Sequence, residues 1–195
     1  MICLTVDRHI QRFDDTAKHL DEQGIKWEKF TAFDNQICRL VPVETFDLDR
    51  AGERISPKHV AATLSHLAIW FVMLHQPDDT FIVCEYDVRF VEGWQEQYER
   101  AIKVVPEDYD VLMLGNCCTQ GRPVTHIADN VYDVRYPLCG HCIQFRKKAL
   151  PTLIKEQQRI FMPLDIALYH LAFPKLKVFT VLPQIVTQHG TPTPI

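Results

Sequence analysis

Glu85 and Asp87 are the residues from which the chemistry of this chain is best read. They close the run Phe81-Ile82-Val83-Cys84-Glu85-Tyr86-Asp87. Its four apolar residues, with β-branched members, predict a buried strand that runs straight into two acids. In an open α/β sheet, ligands collect outside the carboxyl ends of the strands. In extended backbone, side chains two positions apart share a face. Two hard oxygen ligands on one face suit Mg²⁺ or Mn²⁺, ions that take one or two carboxylates and leave other positions for phosphates and water. Taken alone, an acid-x-acid triplet is more often a pair of solvated acids at a strand end.

The elements that must position these acids follow from the apolar pattern. Ile2 to Val6 predicts a first strand, and Ile10, Phe13, Ala17 and Leu20 recur at helical spacing before Gly24. Trp27 to Phe30 predicts a second strand. Ser56-Pro57 starts a helix, with a cap residue followed by proline at the first position. Leu64, Leu67, Ala68, Phe71 and Leu74 are its expected apolar stripe. Helical turns are expected from Gly93 through Tyr98 and Ile102 to a break at Pro106. Val111 to Leu114 predicts a strand buried on both faces. Further strands are expected around Val131 to Val134, Cys142 to Phe145 and Lys177 to Val181, and helices over Lys147 to Gln158, with an internal Pro151, and Asp165 to Ala172. Alternating strands and helices make this an α/β chain, expected as one domain over 1–190 with a loose tail over 191–195.

Composition sets the outer limits. With 195 residues, 47% hydrophobic and 24% charged, the chain can bury a full core. A net charge of -4 argues against a nonspecific nucleic-acid binder, although a local basic patch, or a nucleic-acid acceptor, is left open. The first residues lack the length and basic flank of a signal peptide, and no apolar run is long enough to span a bilayer. Seven cysteines, an odd number, fit a reducing compartment better than a disulfide framework. A cytoplasmic location is the expectation; oligomeric state is not legible.

Several segments, in collinear order from Leu4 to Gln188, resemble glycosyltransferase family 25, which includes bacterial lipooligosaccharide galactosyltransferases and collagen galactosyltransferases. Leu4-Thr5-Val6-Asp7-Arg8 with Arg12 is similar to the first strand and the arginine-bearing helix of that family. Phe30-Thr31-Ala32-Phe33-Asp34-Asn35 resembles its A-x-D-G segment, with asparagine for glycine. Leu64-Ser65-His66-Leu67-Ala68-Ile69-Trp70 resembles its L-S-H-x-x-x-W helix, with Ala61-Ala62 where a Gly-Cys pair is usual. Glu85-Tyr86-Asp87 stands where the family has Glu-Asp-Asp and so loses the middle acid. Tyr109 to Gly115 resembles the D-x-x-x-L-G strand, Gly140-His141-Cys142 with Phe145 to Ala149 the G-T-H-A-Y segment, and Pro163-Leu164-Asp165 the P-x-D motif.

The resemblance implies a single-domain, Rossmann-like GT-A fold with a mixed central sheet. It also implies a UDP-sugar donor carrying galactose or a related hexose, a glycan or other hydroxyl acceptor, lipopolysaccharide biosynthesis as a setting, and Mn²⁺ or Mg²⁺ at the acids. Glu85 and Asp87 would hold the ion or the donor's ribose, and His189 could complete the coordination. Asp165 would be the general base of an inverting transfer, a role to weigh against an ordinary helix N-cap. Asp7, Arg8 and Arg12 are expected near the donor, and His141 near its diphosphate or the acceptor. Ser65 and His66, about 100° apart on a helix, cannot serve as a nucleophile-base pair, and His66 is expected to bond a backbone group and fix the helix to the sheet; Trp70 is expected in the core. A binding module without turnover is the first alternative. The second is a thiol oxidoreductase using Cys139-Gly140-His141-Cys142, or a zinc site joining it to Cys117-Cys118.

Overall fold

The apolar runs become the middle of a mixed sheet. The computed structural model describes residues 1–5, 10–34, 36, 55–117, 124–134 and 138–189. Its strands are β1 (Ile2–Thr5), β2 (Glu28–Thr31), β3 (Thr80–Cys84), β4 (Val88–Phe90), β5 (Val111–Cys117), β6 (Val124–Ala128), β7 (Val131–Val134), β8 (Leu138–Arg146), β9 (Val178–Val181) and β10 (Val186–Gln188). Among the described residues, eight strands form one sheet in the order β2-β1-β3-β8-β5-β9-β7-β6, and β4 and β10 form a separate antiparallel pair. β1, β2 and β3 are parallel, so their carboxyl ends share one edge; β8 runs against both β3 and β5.

The central strands are buried on both faces because helices cover both. On one face Ile2, Leu4, Val83, Val111, Met113, Ile143 and Phe145 pack with residues of α2 (Pro57–Leu74) and α4 (Leu150–Gln157). On the other, Cys3, Cys84, Leu112, Leu114 and Cys142 pack with Phe13 and Leu20 of α1 (Ile10–Glu22) and Ala101 of α3 (Trp94–Val104). Strict alternation of the two sets along β1, β3, β5 and β8 is the pleat expressed as packing.

Local signals explain most boundaries. Gly24, at φ 66°, ends α1, and the N–H of Ile25 returns to Leu20 O at 3.0 Å. Pro57 occupies the first turn of α2, and the N–H of Ser56 donates to His59 Nδ1 at 3.2 Å. Pro151 is not internal to a helix: Lys147–Ala149 is a 3₁₀ turn and α4 starts at Leu150, which places the proline in the first turn, where its missing N–H costs nothing. The helix expected from Asp165 is α5 (Leu164–Ala167), which widens into a π-type turn over Leu168–Ala172.

Two departures from expectation bear on the site. β4 and β10, three residues each, had no readable pattern. The core face of α2 is also turned from the predicted stripe: Thr63, Ser65, His66, Ile69 and Trp70 are buried, whereas Phe71 is 51% exposed. Trp70 lies in the core as expected. The tail over 191–195 lies outside the described residues.

Candidate active site

β3 delivers Glu85 to the shared carboxyl edge of the parallel strands. The N–H of Glu85 donates to His141 O at 2.8 Å, continuing the pairing with β8 by one residue. The backbone then turns at Tyr86 and Asp87 instead of staying extended, so the shared face expected for the two acids does not come from strand geometry. A different device brings them together. β10 pairs with β4 with Gln188 opposite Val88, and the N–H of His189 donates to Asp87 O at 2.7 Å. From there Gln188 Nε2 donates to Glu85 Oε2 at 3.0 Å and to Asp87 Oδ1 at 3.4 Å. The carbonyl of Tyr86 accepts a hydrogen bond from Thr16 Oγ1, which anchors the turn to α1.

Two cavities meet at this edge. The larger, about 500 Å³, is lined by Arg12, Lys58, Tyr86 and Asp87 among others; the smaller, about 360 Å³, by His59, Gly140 and Asp165 among others. Glu85, His66 and Gln188 line both and so form part of the wall between them. Burial pushes the Glu85 carboxyl up to about 7, and the charges of Asp87 and then Asp165 push the same way against the Gln188 hydrogen bond. Glu85 is thus a buried acid where the two cavities meet, with Asp87 lining the larger and Asp165 the smaller.

That donor set fits a divalent cation carried on two carboxylates with phosphate and water completing its shell. Among the described residues, no three His, Cys, Asp or Glu side chains are gathered closely enough to hold a metal by themselves. Glu85, Asp87 and His189 thus make no ready three-ligand cage; His189 is exposed and joins the group through its backbone.

The other expected residues separate clearly. Arg12 is exposed on α1 and lines the larger cavity; Asp7 and Arg8 lie outside the described residues. Asp165 lines the smaller cavity, and its Oδ1 accepts the N–H of Ile166 at 2.9 Å, while the N-cap position of α5 belongs to Pro163. His141 lines neither cavity. It is 4% exposed behind the acids, with Nε2 at 3.0 Å from Val186 O, and burial lowers its pKa. Gly115 makes room for it: a Cβ there would lie 2.3 Å from His141 Nε2.

The Cys139–Cys142 redox reading fails on geometry; the zinc reading also needs Cys118, which lies outside the described residues. Cys142 is fully buried on β8, its thiol pushed well up by burial, and it is free, as are Cys3 and Cys84. Cys139 is disulfide-bonded and its partner is none of these three, against the expectation that the cysteines fit a reducing compartment better than a disulfide framework.

Lys58 and Gln188 were not foreseen. Lys58 follows the readable Ser56-Pro57 helix start, so its place at the head of α2 could have been inferred. Gln188 carries no local signal, since its role depends on pairing with a strand about a hundred positions earlier.

The fold and the acid-bearing strand edge define a mixed α/β protein of the GT-A glycosyltransferase type. A family profile described as glycosyltransferase family 25 (LPS biosynthesis protein) matches residues 2–131, two thirds of the sequence. The chain belongs to glycosyltransferase family 25. Among solved structures it is similar to a glycosyltransferase involved in the glycosylation of the major capsid of PBCV-1, at 12% identity and a TM-score of 0.56, over 98% of this chain and 93% of that one. A second similar structure, a protein assigned as a glucose-1-phosphate thymidylyltransferase from Bacillus anthracis in complex with sucrose, covers 97% of this chain and 70% of that one at 12% identity. Its TM-score of 0.43 is too low to inform the fold. No curated protein sequence matches significantly.

Proposed function

We propose that this glycosyltransferase moves a hexose, galactose or glucose, from a UDP-sugar to a glycan hydroxyl, with Glu85 and Asp87 holding Mn²⁺ or Mg²⁺. The observation that carries this reading is that two cavities meet at Glu85, with Asp87 lining the larger and Asp165 the smaller. The larger cavity suits the donor, because Arg12 and Lys58 supply positive charge for a diphosphate and the two acids face the same space. The smaller suits the acceptor, because Asp165 lines it and, among the described residues, no Lys or Arg does.

When bound, the cation would neutralise charge growing on the departing diphosphate. This chain's own groups do the rest. Gln188 holds the two carboxylates together, and Arg12 and Lys58 orient the donor phosphates. Asp165 takes the proton of the acceptor hydroxyl as that oxygen bonds to the anomeric carbon and the bond to UDP breaks, with inversion. Its Oδ1 is engaged by the N–H of Ile166, which leaves Oδ2 for the proton. His141 acts at one remove by joining β8 to β10, which carries Gln188. Lipopolysaccharide-type glycans are the acceptor class in keeping with the family description.

Release of UDP tests the proposal. With UDP-galactose or UDP-glucose and Mn²⁺, the protein should liberate UDP, slowly with water and faster with an oligosaccharide acceptor. Affinity for these donors with no UDP released under any condition would instead mark a binding module.

A further inference from the structure

His66 was expected to tie α2 to the sheet through a backbone hydrogen bond, and it does not. Among the described residues, neither ring nitrogen has a hydrogen-bond partner, and Nδ1 is fully enclosed. Ser65 makes the tie: its hydroxyl accepts the N–H of Phe33 at 2.9 Å and donates to Ala61 O at 2.7 Å. His66 meets Trp70 edge-to-face at 5.7 Å, a contact that any aromatic ring could make.

A buried polar group without a partner costs about 1–3 kcal/mol, so a purely structural position here would be better filled by an apolar side chain. The side chain is 6% exposed, and what it exposes belongs to the wall shared by both cavities. Burial lowers its pKa to about 4, so the ring is neutral at physiological pH and offers no charge to a diphosphate. Enclosed Nδ1 has no acceptor within reach, so the ring proton belongs on Nε2, the nitrogen left open. A neutral N–H donor between donor and acceptor cavities suits a sugar hydroxyl.

We propose that His66 is a sugar-specificity residue, donating a hydrogen bond from Nε2 to a hydroxyl of the hexose being transferred. This rests on the two-cavity transferase reading above, and calorimetry with UDP, UDP-galactose and UDP-glucose separates the two. In the wild type, at least one UDP-sugar should bind more tightly than UDP. His66→Leu should bind UDP within about twofold of wild type and lose about tenfold on that sugar, whereas His66→Gln should keep part of the preference. An unchanged preference in His66→Leu, or equal binding of UDP and both sugars by the wild type, overturns the role of His66 alone. If His66→Leu does not fold, donors lacking single hydroxyls decide the matter on the wild type: one deoxy donor should lose about tenfold, and undiminished binding of all of them overturns the proposal. Failure of the wild type to bind any of the three nucleotides overturns the transferase reading and this one with it.

Discussion

Glu85 links stability to function at the scale of a single carboxylate. Its ordinary pKa of 4.5 is raised to about 7 in the fold, chiefly by burial. A raised folded-state pKa means the group favours folding most below its unfolded value and loses that contribution as pH climbs through 7. The metal-free protein should therefore lose on the order of 3 kcal/mol from this group between about pH 5 and pH 8, read as a falling melting temperature. Glu85→Gln should flatten that fall and raise the melting temperature at pH 8, while lowering UDP release by a hundredfold or more. A variant destabilised at pH 8 would show that the Gln188 hydrogen bond outweighs the cost of burying the charge. Asp165→Asn belongs to the same scale: kcat should drop about 10²–10⁴-fold with donor affinity within a few-fold of wild type. A loss confined to KM would remove Asp165 from proton transfer.

Elements decide whether these residues meet. The runs ending at Cys84 and Leu114 were legible because a strand buried on both faces must be apolar throughout, the head of α2 from its Ser56-Pro57 cap and proline, and α1 from its helical apolar spacing closed by Gly24. β4 and β10 were not, because three-residue strands are too short to show a period and their partner lies about a hundred positions away. The acids' convergence was therefore foreseen for the wrong reason, as strand alternation, when a turn and the Gln188 amide achieve it. The rotation of α2 was missed because apolar content alone located its inner face. There the face bordering the cavities carries Ser65, which bonds Phe33 and Ala61, and the unpartnered His66, while Phe71 and Val72 stay about half exposed. Gly115→Ala should cost about 1–3 kcal/mol in denaturant unfolding, because its Cβ would displace His141 and the β10 carbonyl it contacts. A neutral effect would mean that β10 is not held through His141.

For the whole molecule, the parallel edge of β1, β2 and β3 is the architectural fact that matters. Among the described residues, the groups proposed to hold the donor phosphates and cation, Arg12, Lys58, Glu85 and Asp87, border one cavity at that edge. Family membership was legible in the order of short motifs along the first two thirds of the chain, where the family profile also matches. Asp165 and His189 lie beyond that stretch and were expected at the site from the resemblance, whereas the role of Gln188 follows from the fold alone. Calorimetric titration with UDP-galactose and UDP-glucose, with and without Mn²⁺, weighs the entire arrangement at once. Donor binding should strengthen at least tenfold with the ion and lose that gain in Asp87→Asn; equal binding in both conditions, or none in either, would contradict a metal-assisted transferase centred on Glu85 and Asp87.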